Sequence, residues 1–211
     1  MFVDIDDFHR INDGLGIVVG DEVVQQYGQY LSSFGGKDVI VSHFNSDIYC
    51  LAIYDSHGTE EVEQIYRAMG KRLEKPFILS GGQEIFITAG IGVASYPEAA
   101  KNALELINCA EIVMLKGKAR GKGSIQYFDT AILKDFLQDI DIENKLKDAV
   151  FHQNFTIAFQ PQYQANNKKL RGVEALIRWK DKEGNMISPS VFIPIAEKNG
   201  TIISIGSWVM E

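Results

Sequence analysis

Residues 2 to 21, FVDIDDFHRINDGLGIVVGD, constrain this chain more than any other stretch: an apolar strand, spaced carboxylates and a glycine-rich passage follow one another directly. Phe2, Val3 and Ile5 predict a short buried strand with Asp4 where it runs out, so the Asp4 carboxylate and the Ile5 carbonyl offer the hard oxygens that Mg²⁺ takes. Gly14, Gly16 and Gly20 are expected to break the chain into a loop. Asp21 is expected to open the next helix, capping free N–H groups or reaching toward a base edge. Taken alone, two carboxylates at a strand end fit caps and solvated turns as well as a metal site.

The order DIDDFHRIN and then GLGIVVGD resembles the opening signature of GGDEF domains, the diguanylate cyclase family, whose pattern is D-x-D-x-F-K-x-I-N-D-x-x-G-H-x-x-G-D. Asp4, Asp6, Phe8, Ile11, Asn12, Asp13, Gly16, Gly20 and Asp21 match it, while His9 replaces a lysine and Ile17 a histidine. The resemblance implies that Asp4 and the Ile5 carbonyl bind the metal, the backbone around Phe8 and His9 the phosphates, and Asn12 and Asp21 the guanine. An amide and a carboxylate can pair with guanine's donors and acceptors, and a site built on such bonds rejects adenine.

Beyond Asp21, the helical spacing of Val23, Val24, Tyr27, Tyr30, Leu31 and Phe34 predicts a packed helix closed by Gly35 and Gly36. Residues 38 to 54 read as two strands around a turn at Asn45 and Ser46. This is where the family carries its name, and the chain has Asn45, Ser46, Asp47, Ile48 and Tyr49. Ser46 adds a Cβ where a phosphate needs room, and Ile48 puts an apolar side chain where the family has a carboxylate. Losing one positioned electrostatic contact costs about 10²–10³ in rate. By resemblance Asp47 can still join Asp4 around one metal ion, so binding is expected to outlast turnover. The family's R-x-x-D inhibitory site would fall on Gly36, Lys37, Asp38 and Val39, which lack it.

Thr59 is expected to cap a helix carrying Val62, Ile65, Tyr66, Met69 and Leu73 and ended by Pro76; His57 has no second ligand nearby to make a metal site. Residues 77–79 and 84–94 read as strands joined by a SGGQ turn, the second resembling the family's S-I-G strand with Gly90 in place of serine. An amphipathic helix over 102–116 leads into KGKARGKGSIQYF, a basic glycine-rich loop. By resemblance, Lys118 and Lys122 face the terminal phosphates, Lys122 without the bidentate fork of the family's arginine.

Residues 130–150 predict a long connector helix, broken or bent near 139–142. After it, AFQPQY, GVEALIRW and ISPSVFIPIAEKNG resemble the first part of an EAL domain, the cyclic di-GMP phosphodiesterase family. Glu174, Ala175 and Leu176 are the name motif. The resemblance implies that Glu174 is a metal ligand at the C-terminal end of a barrel strand, with Gln160, Pro161, Leu176 and Arg178 touching the dinucleotide. The remaining ligands would come from later strands, so catalysis by Glu174 is expected only in an intact EAL domain.

The expected fold is therefore α/β: a GGDEF palm-like, ferredoxin-related mixed sheet with flanking helices over 1–129, a connector over 130–150, and an incomplete N-terminal piece of an EAL-type (β/α) barrel over 151–211. The family's N-terminal helix is expected to precede Met1. A content of 45% hydrophobic residues in 211 is enough for one core and part of a second. Net charge −7 argues against a nucleic-acid polymer as partner. The absence of a long apolar run argues against a membrane span or signal peptide, and Cys50 and Cys109 read as core thiols of a reducing cytoplasm, a bacterial one by the resemblance. The expected partners are GTP or cyclic di-GMP and a second copy in a homodimer; the expected cofactor is Mg²⁺, with Mn²⁺ as alternative. The leading reading is a degenerate GGDEF domain that binds GTP to regulate an EAL phosphodiesterase. An active diguanylate cyclase and a nucleotide-free dimerisation scaffold are the alternatives.

Overall fold

The computed structural model describes residues 1–54 and 60–210, so the expected Thr59 cap and His57 lie outside the described residues. The chain divides into two units, Met1–Lys134 and Asp135–Glu211.

The first unit is built around β1 (Phe2–Ile5), the predicted strand, which lies in the middle of a sheet ordered β2-β3-β1-β6-β7. Its neighbours β3 (Ile48–Ile53) and β6 (Ala89–Val93) are both antiparallel to it, β2 (Val39–Asn45) pairs antiparallel with β3, and β7 (Ile125–Tyr127) runs parallel to β6. Strand alternation sends Val3 and Ile5 to one face and Phe2 and Asp4 to the other. Val3 and Ile5 join the main core with Val23, Tyr27, Leu31, Leu51, Met69 and Phe77. Phe2 packs instead with Ala110 and Met114 of α4 (Ala103–Arg120). Both faces of β1 are covered, which is why it is almost wholly apolar, and Asp4 is the exception.

Between β1 and β2 the sequence predicts a loop around Gly14–Gly20 and then a helix from Asp21, and the structure has two helices with almost no loop between them. α1 (Phe8–Leu15) and α2 (Ile17–Ser32) are separated by Gly16 alone, at φ 93°. Gly14 and Gly20 are helical. At Gly20 the close approach of α1 and α2 overrides its weak helix propensity: a Cβ there would lie 1.9 Å from Asn12 Oδ1. Asp21 consequently does not open a helix; it lies five residues into α2.

α3 (Glu60–Leu73) carries acidic residues in its first turn and Lys71 and Arg72 in its last, matching the helix dipole. The expected strand over 84–94 is divided. β5 (Glu84–Ile85) pairs with β4 (Phe77–Ile78), and β6 begins at Ala89 in the main sheet. Burial alternates through the junction, with Ile85, Ile87 and Ala89 inside, so a period-two pattern cannot reveal that the pairing partner changes. α4 runs to Arg120, four residues past its expected end, and is capped by Asn102, whose Oδ1 accepts from the Glu105 N–H at 3.0 Å. β7 was not anticipated. Cys109 is buried, Cys50 is partly so, and both are free.

The second unit begins within α5 (Thr130–His152), one uninterrupted helix where a break near 139–142 was expected. β8 (Phe155–Tyr163) and β9 (Leu170–Lys180) form a long antiparallel hairpin, extended by β10 (Met186–Ile187), and are followed by α6 (Pro189–Asn199) and α7 (Ile202–Met210). Phe155, Trp179, Ile187 and Phe192 make its core with Ile142, Leu146 and Ala149 of α5. No helix among the described residues is long and apolar enough to cross a membrane.

Candidate functional site

Because Ala110, Met114 and Lys118 follow one another at intervals of four, they lie along one stripe of α4. The first two pack on Phe2 and the third therefore arrives over Asp4, two residues along the same face of β1. Lys118 Nζ donates to Asp4 Oδ1 and to the Ile5 carbonyl, the latter at 3.3 Å. Lys118 thus sits in the last turn of a helix rather than in a loop. Burial raises the Asp4 carboxyl above the usual carboxylate range; Lys118 opposes this, and the neighbouring charges of Asp47 and Asp6 add to it.

Asp6, which the sequence matched without giving a role, is the fixed point of this corner. It is buried; Oδ2 accepts from the Thr88 hydroxyl at 2.6 Å and from the Gly123 N–H at 2.8 Å, tying β1 to the segment after α4. Next to it, Asp7 stands at φ 53°, a conformation aspartate tolerates, and accepts from Lys122 Nζ at 2.5 Å. That contact holds the Asp7 carboxyl below its ordinary range. Both lysines expected at the phosphates are therefore paired with carboxylates of the β1–α1 corner.

The hairpin closes the other side. Ser46 has φ 43°, in the region that favours glycine. The Ile5 N–H donates to the Asp47 carbonyl at 3.3 Å, so Asp47 is close to the Asp4 corner. Directly across from Asp4 in the ladder is Ile48, packed against the cluster of Phe2, Ala110 and Met114. The position where the family has a carboxylate is thus filled by an apolar side chain pointing to the face that carries Asp4. Tyr49 is anchored below, its hydroxyl donating to the Val24 carbonyl at 2.6 Å, and burial pushes it up to about 12.

On α1, Phe8 is buried and His9 is exposed. Asn12 Oδ1 is buried without a hydrogen-bond partner, against Gly20. Asp21 is exposed and lines a cleft of about 520 Å³ with Val24, Gly28, His43, Ser46 and Tyr49. Asn12 does not line that cleft, so the two residues expected at guanine do not share it. Among the described residues no group of three or more His, Cys, Asp or Glu side chains is arranged to hold a metal ion. Asp4 and the Ile5 carbonyl nonetheless converge on one cationic group, and this donor set fits a single hard cation completed by water and phosphate oxygens.

In the second unit Glu174 is exposed and is the fifth of eleven residues in β9, so it is mid-strand rather than at a C-terminal strand end. The chain at this point forms an antiparallel hairpin, which sets Glu174 opposite Gln160. Leu176 and Arg178 follow at two-residue intervals on the face opposite Ile177 and Trp179, which turn to the helices. Pro161 pairs with Val173 and falls on the other face of the ladder from Glu174. The Arg178 Nη1 donates to the Ile177 carbonyl at 2.9 Å.

Residues 1–124 match the family profile described as Diguanylate cyclase, GGDEF domain, and residues 143–211 match that of the EAL domain. The chain is 30% identical to Signaling protein YkoW of Bacillus subtilis (strain 168), over all of this chain and 26% of that protein. It is 27% identical to the Bifunctional diguanylate cyclase/cyclic di-GMP phosphodiesterase MucR of Pseudomonas aeruginosa, over all of this chain and 30% of that protein. It therefore spans under a third of the length of these relatives. Among solved structures, the GGDEF domain of YfiN from Pseudomonas aeruginosa superposes with a TM-score of 0.58 at 25% identity, covering 61% of this chain and 80% of that one. An EAL/GGDEF domain protein from M. capsulatus superposes with a TM-score of 0.56 at 27% identity, covering 61% and 82%. With its profile match extending over more than half of its residues, this chain belongs to the GGDEF family, the diguanylate cyclase domain, and continues into a segment of the EAL family.

Proposed function

We infer that residues 1–129 act in cyclic di-GMP signalling as a degenerate GGDEF module that binds GTP with one divalent cation, Mg²⁺ or Mn²⁺, and turns it over poorly or not at all. The observation that carries this reading is the ladder pair of Asp4 and Ile48: one carboxylate and a hydrophobic side chain stand where two carboxylates would be needed for two ions. Asp4 and the Ile5 carbonyl would hold the cation, which when bound neutralises charge on the phosphates. Lys118 and Lys122 exchange Asp4 and Asp7 for phosphate oxygens, Asp21 orients the base from its cleft, and the Ser46 side chain crowds the turn. In a longer protein, with the remaining EAL strands present, GTP occupancy is transmitted through α5 to a phosphodiesterase whose Glu174, Gln160, Leu176 and Arg178 contact cyclic di-GMP.

Calorimetric titration of GTP with Mg²⁺, with ATP as control and Asp4→Ala alongside, tests this directly, with chromatography for cyclic di-GMP afterwards. The expected result is GTP-selective binding that Asp4→Ala abolishes, without product. Product at the rate of an ordinary cyclase would replace this reading with the active enzyme, and no GTP binding by the folded chain would leave a scaffold.

A further inference from the structure

Lys118 stands where the cation would. Its ammonium takes Asp4 Oδ1 and the Ile5 carbonyl, the two donors assigned to the metal, and lies 3.6 Å from Asp6 Oδ1, a buried oxygen without a hydrogen bond of its own. The pair is well shielded, with side-chain exposures of 24% for Lys118 and 13% for Asp4. Two negative charges beside each other at the end of a strand are costly to bury unless a positive charge sits with them. Lys118 meets that need within the chain.

The stem of Lys118 reaches this position across Gly90. In the ladder Gly90 is the partner of Asp4 on β6, and a Cβ built on it would lie 2.4 Å from Lys118 Cγ and 2.9 Å from Cδ. Any residue with a side chain at position 90 would evict the lysine stem from its course over the strand. The glycine that stands where the family's serine was expected therefore has a specific consequence: it opens the slot that lets the lysine lie down on Asp4.

We propose that Lys118 is a built-in cation on the metal position, admitted by Gly90, and that a divalent cation and a nucleotide triphosphate bind by exchange with it. The cation takes Asp4 and the Ile5 carbonyl as Lys118 lifts away, and the triphosphate gives the displaced ammonium a new anionic partner. Cation and nucleotide consequently bind with positive and reciprocal coupling, and the cation alone binds weakly. This rests on the cation site read above at Asp4.

The test is Mn²⁺ binding to the 211-residue chain followed by electron paramagnetic resonance, without nucleotide, in the wild type, Lys118→Met, Gly90→Ser, Lys122→Met and the double variant Lys118→Met/Asp4→Asn. Lys118→Met and Gly90→Ser are expected to tighten Mn²⁺ binding by about tenfold or more, the equivalent of one displaced ion pair. Gly90→Ser keeps every charge, so its gain separates occupation of the site from long-range repulsion. Lys122→Met, which removes a nearby charge that does not occupy the site, is expected to change the affinity less than about threefold, as for a screened surface pair. The double variant is expected to lose the gain. In parallel, ¹⁵N-lysine spectra are expected to show a slowly exchanging Lys118 ammonium in the wild type that Gly90→Ser releases. Equal affinities in the wild type and Lys118→Met, or equal gains from Lys122→Met and Lys118→Met, overturn the proposal; so does Mn²⁺ binding undetectable throughout. If Gly90→Ser does not fold, the Lys118→Met and Lys122→Met comparison and the wild-type spectrum decide. GTP titration of the wild type judges the functional reading separately: GTP binding with unchanged Mn²⁺ affinities sinks only the exchange, and its absence sinks the reading itself.

Discussion

At Ser46, Gly92 and Gly90 the backbone sets terms that the side chain must meet, and each gives a different answer. Ser46, at φ 43°, occupies a left-handed conformation that costs an ordinary residue about 1–2 kcal/mol, partly offset by the greater chain entropy glycine would lose. Ser46→Gly is accordingly expected to raise stability by roughly 0.5–1 kcal/mol in urea unfolding, with Ser46→Val lowering it. Gly92 faces backbone: a Cβ there would come 2.0 Å from the Ala110 carbonyl oxygen, so α4 rests directly on β6. Gly92→Ala is expected to cost about 1–3 kcal/mol by forcing the helix off the sheet, read in the same experiment. Gly90 meets a lysine side chain instead, so the cost of Gly90→Ser is expected to come from the carboxylates that Lys118 leaves unpaired rather than from a helix forced off the sheet. Asp6 was the site residue that sequence reasoning left without a role. Its partners Thr88 and Gly123 are 82 and 117 residues away, and no local pattern marks such a clamp.

At the scale of elements, α5 is held to the β9–β10 turn by charge. Lys182 donates to Asp148 Oδ1 at 2.9 Å, and Lys145 lies 3.0 Å from Asp141 and 3.5 Å from Asp181. The Lys182 hydrogen bond holds the Asp148 carboxyl below its ordinary value, and hydrogen bonds from Asn185 do the same for Asp181. A carboxylate depressed in the folded state stabilises above its unfolded range, and that contribution is lost as pH falls through the depressed folded value. Carbon-detected titration is therefore expected to place the Asp148 midpoint below that of an unstructured aspartate, and Lys182→Met to return it upward. A midpoint unchanged by the substitution would show that the pair does not hold in solution. The Lys182–Asp148 contact is exposed, so its expected effect on stability is small and falls with added salt.

For the molecule as a whole, the two units have separate cores, and both tryptophans, Trp179 and Trp208, belong to the second. Tryptophan fluorescence therefore reports that unit. Phe192 is fully buried against Trp179, with ring centroids 5.4 Å apart, and Phe192→Ala is expected to lower the fluorescence-detected stability by about 3–5 kcal/mol. GTP and Mn²⁺ binding by the first unit, measured at a temperature where the second remains folded, should be unchanged. What the sequence by itself determined was local. It set β1, the packed face of α2, the β2–β3 hairpin, and the hairpin substitutions Ser46 and Ile48, because period, turn residues and motif spacing are short-range signals. Only the tertiary structure decided that the Gly14–Gly20 passage is a pair of helices, that the 84–94 stretch changes pairing partner, and that β7 joins the sheet. It also decided that Lys118, 114 residues from Asp4, lies on the Asp4 carboxylate and the Ile5 carbonyl rather than in a solvated loop. That contact depends on where α4 ends and on which side of β6 it packs, and both follow from long-range burial that no window of sequence contains.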